Sequence, residues 1–567
     1  MFKIHQSSDG KCKVTKRYTP YLLGVIVLIA LFLRLWGLTW GLPNTDHYFS
    51  YHPDEASVLN AAQRVDFFTG HLDPGFYNYG SLYIYILNIC IVIGSLARLI
   101  NLSNSDIGLV MRDLHLTGRL ISVALGTASV LMIYLLGRRM YGRRTGVLAA
   151  LMLAVLPLHV MYSHFLAVDV PATFLVLCSL VFAARIVEGA RLRYYLLSGL
   201  FAGLAGATKY NTFLVVVAPF VTHMWATKGR TITRLFSWKL AMLILAAAFG
   251  FLIGCPGILL YPQHFWHDFI YEARHMQTGH GLVFVNTGSG YAYHLIHSLL
   301  PGMGIPVLAL AFIGLFYAIR RWTPQDMMLI AFVVVYYALI GAVAVRFARY
   351  TMPILPVLVL LGARIPGKIM DRMDEAPGIW CSAVRVIIGA CTGLAVIYTL
   401  VYSAALDNML ATKDTRDRAL DWIRENVPAG STIGMPTVPW FYTPPLDPRF
   451  GFGSVQDRYE TSQKVADYAI AVDPRKEFNA GLLKTSSPEY VVMSEFEYED
   501  HMRVGTQAAQ EYFSVLKEDY SLTKRFISSP TIFGIRFPLP VSLPHDMSYA
   551  NPTILIYARK DLAETNG

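Results

Sequence analysis

The sequence predicts a polytopic α-helical membrane protein with about eleven transmembrane helices and a carboxy-terminal extracytoplasmic α/β domain. Three observations carry that expectation. Of the 567 residues, 54% are hydrophobic and only 15% are charged, far more apolar than a soluble chain of this length. Apolar runs close to the roughly 20 residues that cross a hydrocarbon core recur from residue 20 to residue 405. Beyond Ala405 the pattern turns to mixed polar and apolar, with short β-rich stretches.

The first run, Tyr21 to Trp40, is longer than a signal-peptide core and no small-residue cleavage site follows it, so it reads as a retained anchor. Counting it as 20–41, spans are expected there and near 113–137, 145–161, 169–187, 193–208, 210–226, 238–259, 292–318, 326–345, 351–365 and 379–405. The run Tyr79 to Ile100 is also long enough, and charge decides its placement. With that run lying along the interface, one set of loops holds Lys3, Lys11, Lys13, Lys16 and Arg17, the cluster Arg138, Arg139, Arg143 and Arg144, and Arg185, Arg191 and Arg193. The same side holds Lys228, Arg230, Arg234 and Lys239, then Arg320, Arg321, Arg364, Lys368 and Arg372. The loops of the opposite side up to residue 405 hold far fewer: Arg64, Arg98, Arg112, Lys209, Arg274, Arg346 and Arg349. By the positive-inside rule the first side is cytoplasmic, which predicts a plasma-membrane protein with a cytoplasmic amino terminus. A spanning Tyr79 to Ile100 would invert everything after it and destroy the bias. The formal charge of +10 is therefore an orientation signal and not a nucleic-acid footprint.

Two domains are expected: a membrane domain over 1–405, with a first outer loop at 42–112 that carries interfacial helices, and a soluble α/β domain over 406–567. In the second, Asp414 to Asn426 reads as an amphipathic helix. Thr432 to Val438, Ala466 to Val472, Tyr490 to Met493 and Thr553 to Tyr557 read as strands, with a helix around Val504 to Lys517. The six cysteines have no metal-ligand spacing, so neither a disulfide framework nor a zinc site is indicated.

Four polar segments fall on the extracytoplasmic rim. Tyr51, His52, Pro53, Asp54 and Glu55 open an amphipathic segment; the acidic pair suits a helix start, where it meets the helix dipole, and equally a general base. Tyr162 to Asp169 is a polar interruption in which His164 reads first as a packing histidine and Asp169 as a helix cap, with substrate contact as the alternative. Gly203 to Tyr210 places glycines at i and i+3 for close helix packing and ends on Lys209, either a snorkelling lysine or a rim cation. Arg346 to Pro353 adds Arg346 and Arg349, whose planar forks match phosphate oxygens. A transporter would place such groups nearer the bilayer midplane; a rim site suits a substrate whose tail stays in lipid.

With these residues, the chain resembles the GT-C glycosyltransferases, particularly the protein O-mannosyltransferase and lipid A aminoarabinose transferase group. The resemblance covers most of residues 20–365. It rests on Asp54-Glu55, on Phe76 to Tyr83 opening the interfacial helix, on Gly118-Arg119-Leu120 through Gly137 to Arg139, on Tyr162 to Pro171, on Gly206 to Tyr210 and on Arg349 to Pro353. It implies transfer of a sugar from a polyprenyl-phosphate carrier to an acceptor hydroxyl of a protein, lipid or glycan, with inversion and without a nucleotide-sugar site. Carried over, Asp54 is the base and Glu55 its support. Arg349, Arg346 and Lys209 bind phosphate, while His164, Asp169, Asn78 and Tyr79 complete the substrate-binding set. No cofactor is required in this scheme, although a divalent metal near the acidic pair fits it too. Asn78-Tyr79 followed by Gly80-Ser81 departs from the lysine and Pro-Pro usual in aminoarabinose transferases, which puts a lipid A acceptor in doubt. The expected partners are the lipid-linked donor, the acceptor and membrane lipids. The competing reading is a lipid-linked-sugar transporter or a non-catalytic protein that binds lipid head groups.

Overall fold

The computed structural model describes residues 9–227, 230–375, 378–539 and 541–563. Lys3 and Lys228 of the expected basic side lie outside the described residues. The chain is mostly helical, and it is a multi-pass membrane protein. Seven of the described helices are long and apolar enough to cross a membrane, and a bent pair raises the number to eight. In that pair, Gly290–Met303 and Ile305–Arg321 meet at 117°, where Gly304 takes a positive φ of 72°. The expected spans at 145–161, 193–208 and 210–226 are built from shorter pieces, Arg143–Ala154 with Pro157–Tyr162, Leu192–Gly206, and Tyr210–Val216 with Val217–Ala226. Length and composition alone therefore do not count them, and the figure of about eleven stays an expectation.

The run Tyr79 to Ile100 folds as a helix of 15 residues, Leu82–Leu96. At the α-helical rise it is about 22 Å long, short of the roughly 30 Å hydrocarbon core. The long helix Ile107–Tyr141 starts on an Asp106 side-chain cap to the Leu109 backbone N–H and ends at Gly142. Close packing by small residues occurs where the glycine spacing points to it. A Cβ on Gly203 would lie 2.0 Å from the Ala247 carbonyl oxygen, so helices Leu192–Gly206 and Trp238–Gly254 touch backbone to backbone.

Among the described residues the carboxy-terminal region carries seven strands: β1 (Thr432–Gly434), β2 (Ala469–Ala471), β3 (Tyr490–Ser494), β4 (Tyr520–Phe526), β5 (Thr531–Ile532), β6 (Ile535–Arg536) and β7 (Ile554–Arg559). Five form a sheet in the order β2-β1-β3-β7-β4, parallel on the β1 side and antiparallel around β7. Central β3 is buried along its whole length, whereas β4 closes one edge with exposed Lys524 and Arg525. The helix expected around Val504 to Lys517 is two helices, Glu495–Val504 and Gln507–Asp519, parted by Gly505 with φ 76°. One continuous apolar core runs from the membrane helices into this sheet.

That continuity positions the first loop. The Arg416 guanidinium lies 3.8 Å from the centre of the Tyr51 ring, is held by Asp414 at 2.8 and 2.9 Å, and donates to the Phe441 and Tyr549 carbonyls. Trp40 Nε1 donates to Asp414 at 2.9 Å, and the Tyr48 backbone N–H donates to the Pro448 carbonyl at 2.8 Å.

Candidate active site

The segment from Ser50 to Glu55 turns into helix Pro53–Arg64, with His52 as the cap and proline at the first helical position. Its two carboxylates point to different environments. Glu55 is fully buried, and Arg119 grips it with two parallel hydrogen bonds of 2.9 Å, Nε to Oε1 and Nη2 to Oε2. The Leu166 backbone N–H donates to Oε1 at 2.8 Å and the Ser50 hydroxyl donates to Oε2. Arg119 in turn donates to the Leu38 and Trp40 carbonyls at 2.8 and 2.6 Å. Burial alone would raise the Glu55 pKa, but the Arg119 charge and its hydrogen bonds overcome it and hold the carboxyl down at about 2. Glu55 thus ties three chain segments together, and its carboxylate is taken up by the Arg119 clamp.

Asp54 faces open space. Its side chain is 30% exposed, and Oδ2 lies 3.0 Å from Arg349 Nη2. Burial pushes its pKa up, yet the charges of Arg349, His52, His280 and Lys209 outweigh that and hold it below the usual carboxylate value. Arg349 is buried at the start of the 3₁₀ turn Ala348–Ile354. Asp546 holds that turn by accepting from the backbone N–H groups of Ala348 at 2.9 Å and Arg349 at 3.0 Å, and the Tyr162 hydroxyl donates to Asp546 at 2.6 Å. The guanidinium lies over the Phe347 ring at 4.1 Å, and its Nη1 is buried without a hydrogen-bond partner among the described residues. Tyr549 also lies beside the guanidinium, which thus meets the chamber between a carboxylate and a phenol.

Two cavities meet here. A chamber of about 650 Å³ is lined by Asp54, Arg349, His275 and His280 below and by Trp440, Phe441, Phe496 and Tyr549 of the sheet region above. An apolar groove of about 420 Å³ is lined by Phe213, Leu214, Phe269, Leu339, Ile340 and Val343, with Lys209 at its wall. Asn78, Tyr79, Glu272 and Tyr350 line both. Asn78 and Tyr79 therefore stand in the shared wall, and Asn78 Nδ2 donates to Glu272 at 3.4 Å.

The other expected site residues separate. Lys209 breaks the chain between two helices in an extended conformation, pairs with Asp169 at 2.5 Å, and lies 4.7 Å from the centre of the Tyr350 ring. Asp169 is therefore the counter-ion of Lys209 and does not line either cavity. His164 is buried between the Val160 and Trp36 carbonyls, at 3.1 and 3.0 Å, which corrects its substrate-binding assignment to a packing role. Arg346 is corrected likewise: its Nη1 donates to Thr287 Oγ1 at 2.8 Å and the Gly288 carbonyl at 2.7 Å, outside both cavities. Among the described residues no group of three or more His, Cys, Asp or Glu side chains is arranged to hold a metal ion. Of the acidic pair, only Asp54 has a carboxylate free of the Arg119 clamp. Asp546, Glu272 and His280 carry no signal in the sequence, and Arg119 enters there only within the Gly118-Arg119-Leu120 stretch, without a role. Arg119 had a usable signal, a cation inside an apolar run that demands a buried partner.

Residues 108–254 match the sequence model of a family described as dolichyl-phosphate-mannose-protein mannosyltransferase. That segment holds Arg119, His164, Asp169 and Lys209 but neither Asp54 nor Arg349. The structure superimposes on the apo oligosaccharyltransferase of Archaeoglobus fulgidus with a TM-score of 0.50 at 15% identity, covering 94% of this chain and 76% of that one. The chain shares its fold with that oligosaccharyltransferase. Cupriavidus metallidurans ArnT bound to undecaprenyl phosphate gives a TM-score of 0.49 at 14% identity over 94% of this chain and 97% of that one. The Saccharomyces cerevisiae Pmt1-Pmt2 O-mannosyltransferase complex bound to the sugar donor gives 0.33 at 14% identity over 44% and 34%. No curated protein matches the sequence. In this chain the first loop, the shared wall of the two cavities and the arginine turn converge from segments remote in sequence.

Proposed function

We propose that this protein is an integral-membrane glycosyltransferase that moves a sugar from a polyprenyl-phosphate carrier to an acceptor hydroxyl, with inversion. One observation carries the reading: the apolar groove and the chamber that holds Asp54 and Arg349 are neighbours, sharing Asn78, Tyr79, Glu272 and Tyr350 in their walls. A ligand with a hydrocarbon tail and an anionic, sugar-bearing head matches that pair of spaces. The isoprenoid lies in the groove and the phosphate takes the Arg349 fork. As the glycosidic bond breaks, its electron pair goes to the phosphate oxygen, and the guanidinium stabilises the growing charge. Asp54 takes the proton of the incoming hydroxyl on the opposite face of the sugar. Phosphate at Arg349 draws the guanidinium from Asp54, so donor binding raises the basicity of the carboxylate that must act next.

Liberation of polyprenyl phosphate by purified protein, with sugar appearing on an acceptor, tests this reading; movement of intact carrier across liposomes without cleavage would favour transport instead. The sugar and the acceptor class, protein, lipid or glycan, are then read by mass spectrometry of glycolipids and exported glycoproteins.

Arg349→Lys is expected to lower transfer about ten- to a hundredfold, since one charge-assisted hydrogen bond contributes roughly 1.5–3 kcal/mol and lysine cannot reproduce the fork. Arg346→Lys, outside both cavities, should stay near wild type. Wild-type rates for Arg349→Lys at several donor concentrations would place the phosphate elsewhere.

The reading also sets the site at the extracytoplasmic face. Gly142 lies about 34 Å along its helix from Arg119, which is tied to Glu55, so the two mark opposite sides of a bilayer. In a cysteine-free background Gly142→Cys should label with an impermeant reagent only from the cytoplasm, and Gln263→Cys and Ser454→Cys only from outside. The opposite pattern inverts the topology.

A further inference from the structure

Strands β5 and β6 form a hairpin in which Ile532 pairs with Ile535 across the two-residue loop Phe533-Gly534. Both loop residues have positive φ, 50° and 77°. Such a loop favours Asn-Gly or Asp-Gly, because a bulky side chain at positive φ crowds its own backbone. Phe533 is nevertheless 96% exposed and Ile535 73% exposed, so no packing within the chain explains an aromatic residue at this position.

The last long helix shows what covers them. On Ile379–Ala411 the large exposed apolar residues run from Ile379 and Trp380 to Leu394 and Ile397, about 27 Å by helix rise, close to the thickness of a hydrocarbon core. From Tyr402 onward the helix is buried by protein. The hairpin is tied at that transition. Phe537 stacks on Tyr402 with ring centres 5.0 Å apart and meets Tyr398 at 5.3 Å, while Asn408 Nδ2 donates to Thr531 Oγ1 at 3.2 Å. Tyr398, Tyr402 and Phe537 thus lie at the depth where membrane proteins place an aromatic belt. Exposed Arg536 adds a cation at the level of lipid phosphates.

We propose that Phe533 and Ile535 insert into the interfacial region of the adjoining leaflet, so that the sheet-bearing region has a lipid attachment besides its covalent link to the last helix. Phe537 and Thr531 fasten the hairpin to that helix next to its exposed apolar stretch, and the contact is independent of any transfer chemistry. It is tested with full-length protein carrying Phe533→p-benzoylphenylalanine in phosphatidylcholine–phosphatidylglycerol liposomes. Irradiation is expected to add the mass of one phospholipid at position 533, as it should with the same photoprobe at lipid-facing Ile379. Adducts at 379 together with none at 533, or with 533 joined to a second copy of the chain, overturn the proposal. A second measurement uses Phe533→Asn, which suits the turn: the melting temperature in detergent should be kept, and the rise in melting temperature on transfer to liposomes should shrink. An undiminished rise also overturns it.

Discussion

Asp54→Asn is expected to reduce sugar transfer by about 10²- to 10⁴-fold while leaving the protein folded and able to bind the carrier, because the substitution keeps shape and removes the only function of a base. The geometry makes this a clean test. Asp54 has its backbone N–H capped by His52 at 3.4 Å and its carboxylate open to the chamber, so asparagine can occupy the same space. Arg349 is buried, so asparagine weakens its charge pairing, and the melting temperature measured beside the rate separates a folding defect from loss of the base. The Arg349 fork remains for phosphate, and carrier affinity should be unchanged or slightly higher with the competing carboxylate gone. Single-turnover transfer by purified protein, measured beside carrier binding, decides it. A variant that turns over near the wild-type rate removes Asp54 from the chemistry and with it the inverting displacement.

Glu55→Gln is expected to act on folding instead, lowering stability by roughly 3–5 kcal/mol, because it leaves the Arg119 charge buried without its counter-ion. Arg119 is fully buried, and its two bonds to Glu55 are the ones that neutralise it. The pH dependence has a definite sign. The folded carboxyl is held at about 2 against an ordinary value of 4.5, so its contribution is fully present above about 4.5 and is lost as pH falls toward 2. Thermal melts in detergent should therefore show wild type losing its advantage over Glu55→Gln across that acid range. Equal melting temperatures at neutral pH would mean that the clamp is not what holds the first loop to helix Ile107–Tyr141.

These two neighbours illustrate how much was legible. An adjacent acidic pair at a helix start is visible in sequence, and so is its value near a rim, but the helical turn sends successive side chains about 100° apart. One carboxylate must face the protein and the other the cavity, and which does which depends on Arg119 and on the chain segments it gathers. The same holds for the arginines: Arg346 and Arg349 are three residues apart, yet Asp546 holds the backbone so that only the second reaches the chamber. His164 and Asp169 look alike as polar interruptions until their partners, the Trp36 carbonyl and Lys209, are known. Strand β4 escaped notice because Lys524 and Arg525 break its alternation, which is what an edge strand tolerates and a central one does not.

By itself the sequence determined the properties that depend on composition and short-range periodicity. The apolar runs require lipid as solvent, the glycines at 203 and 206 allow close helices, and the stretch at 490–493 favours a strand. Tertiary structure alone decided which polar groups share a cavity. Ion pairing and hydrogen bonding act over a few ångströms in space with no preference for neighbours in the chain, so Asp54 meets Arg349, and Glu55 meets Arg119, only after the helices have packed.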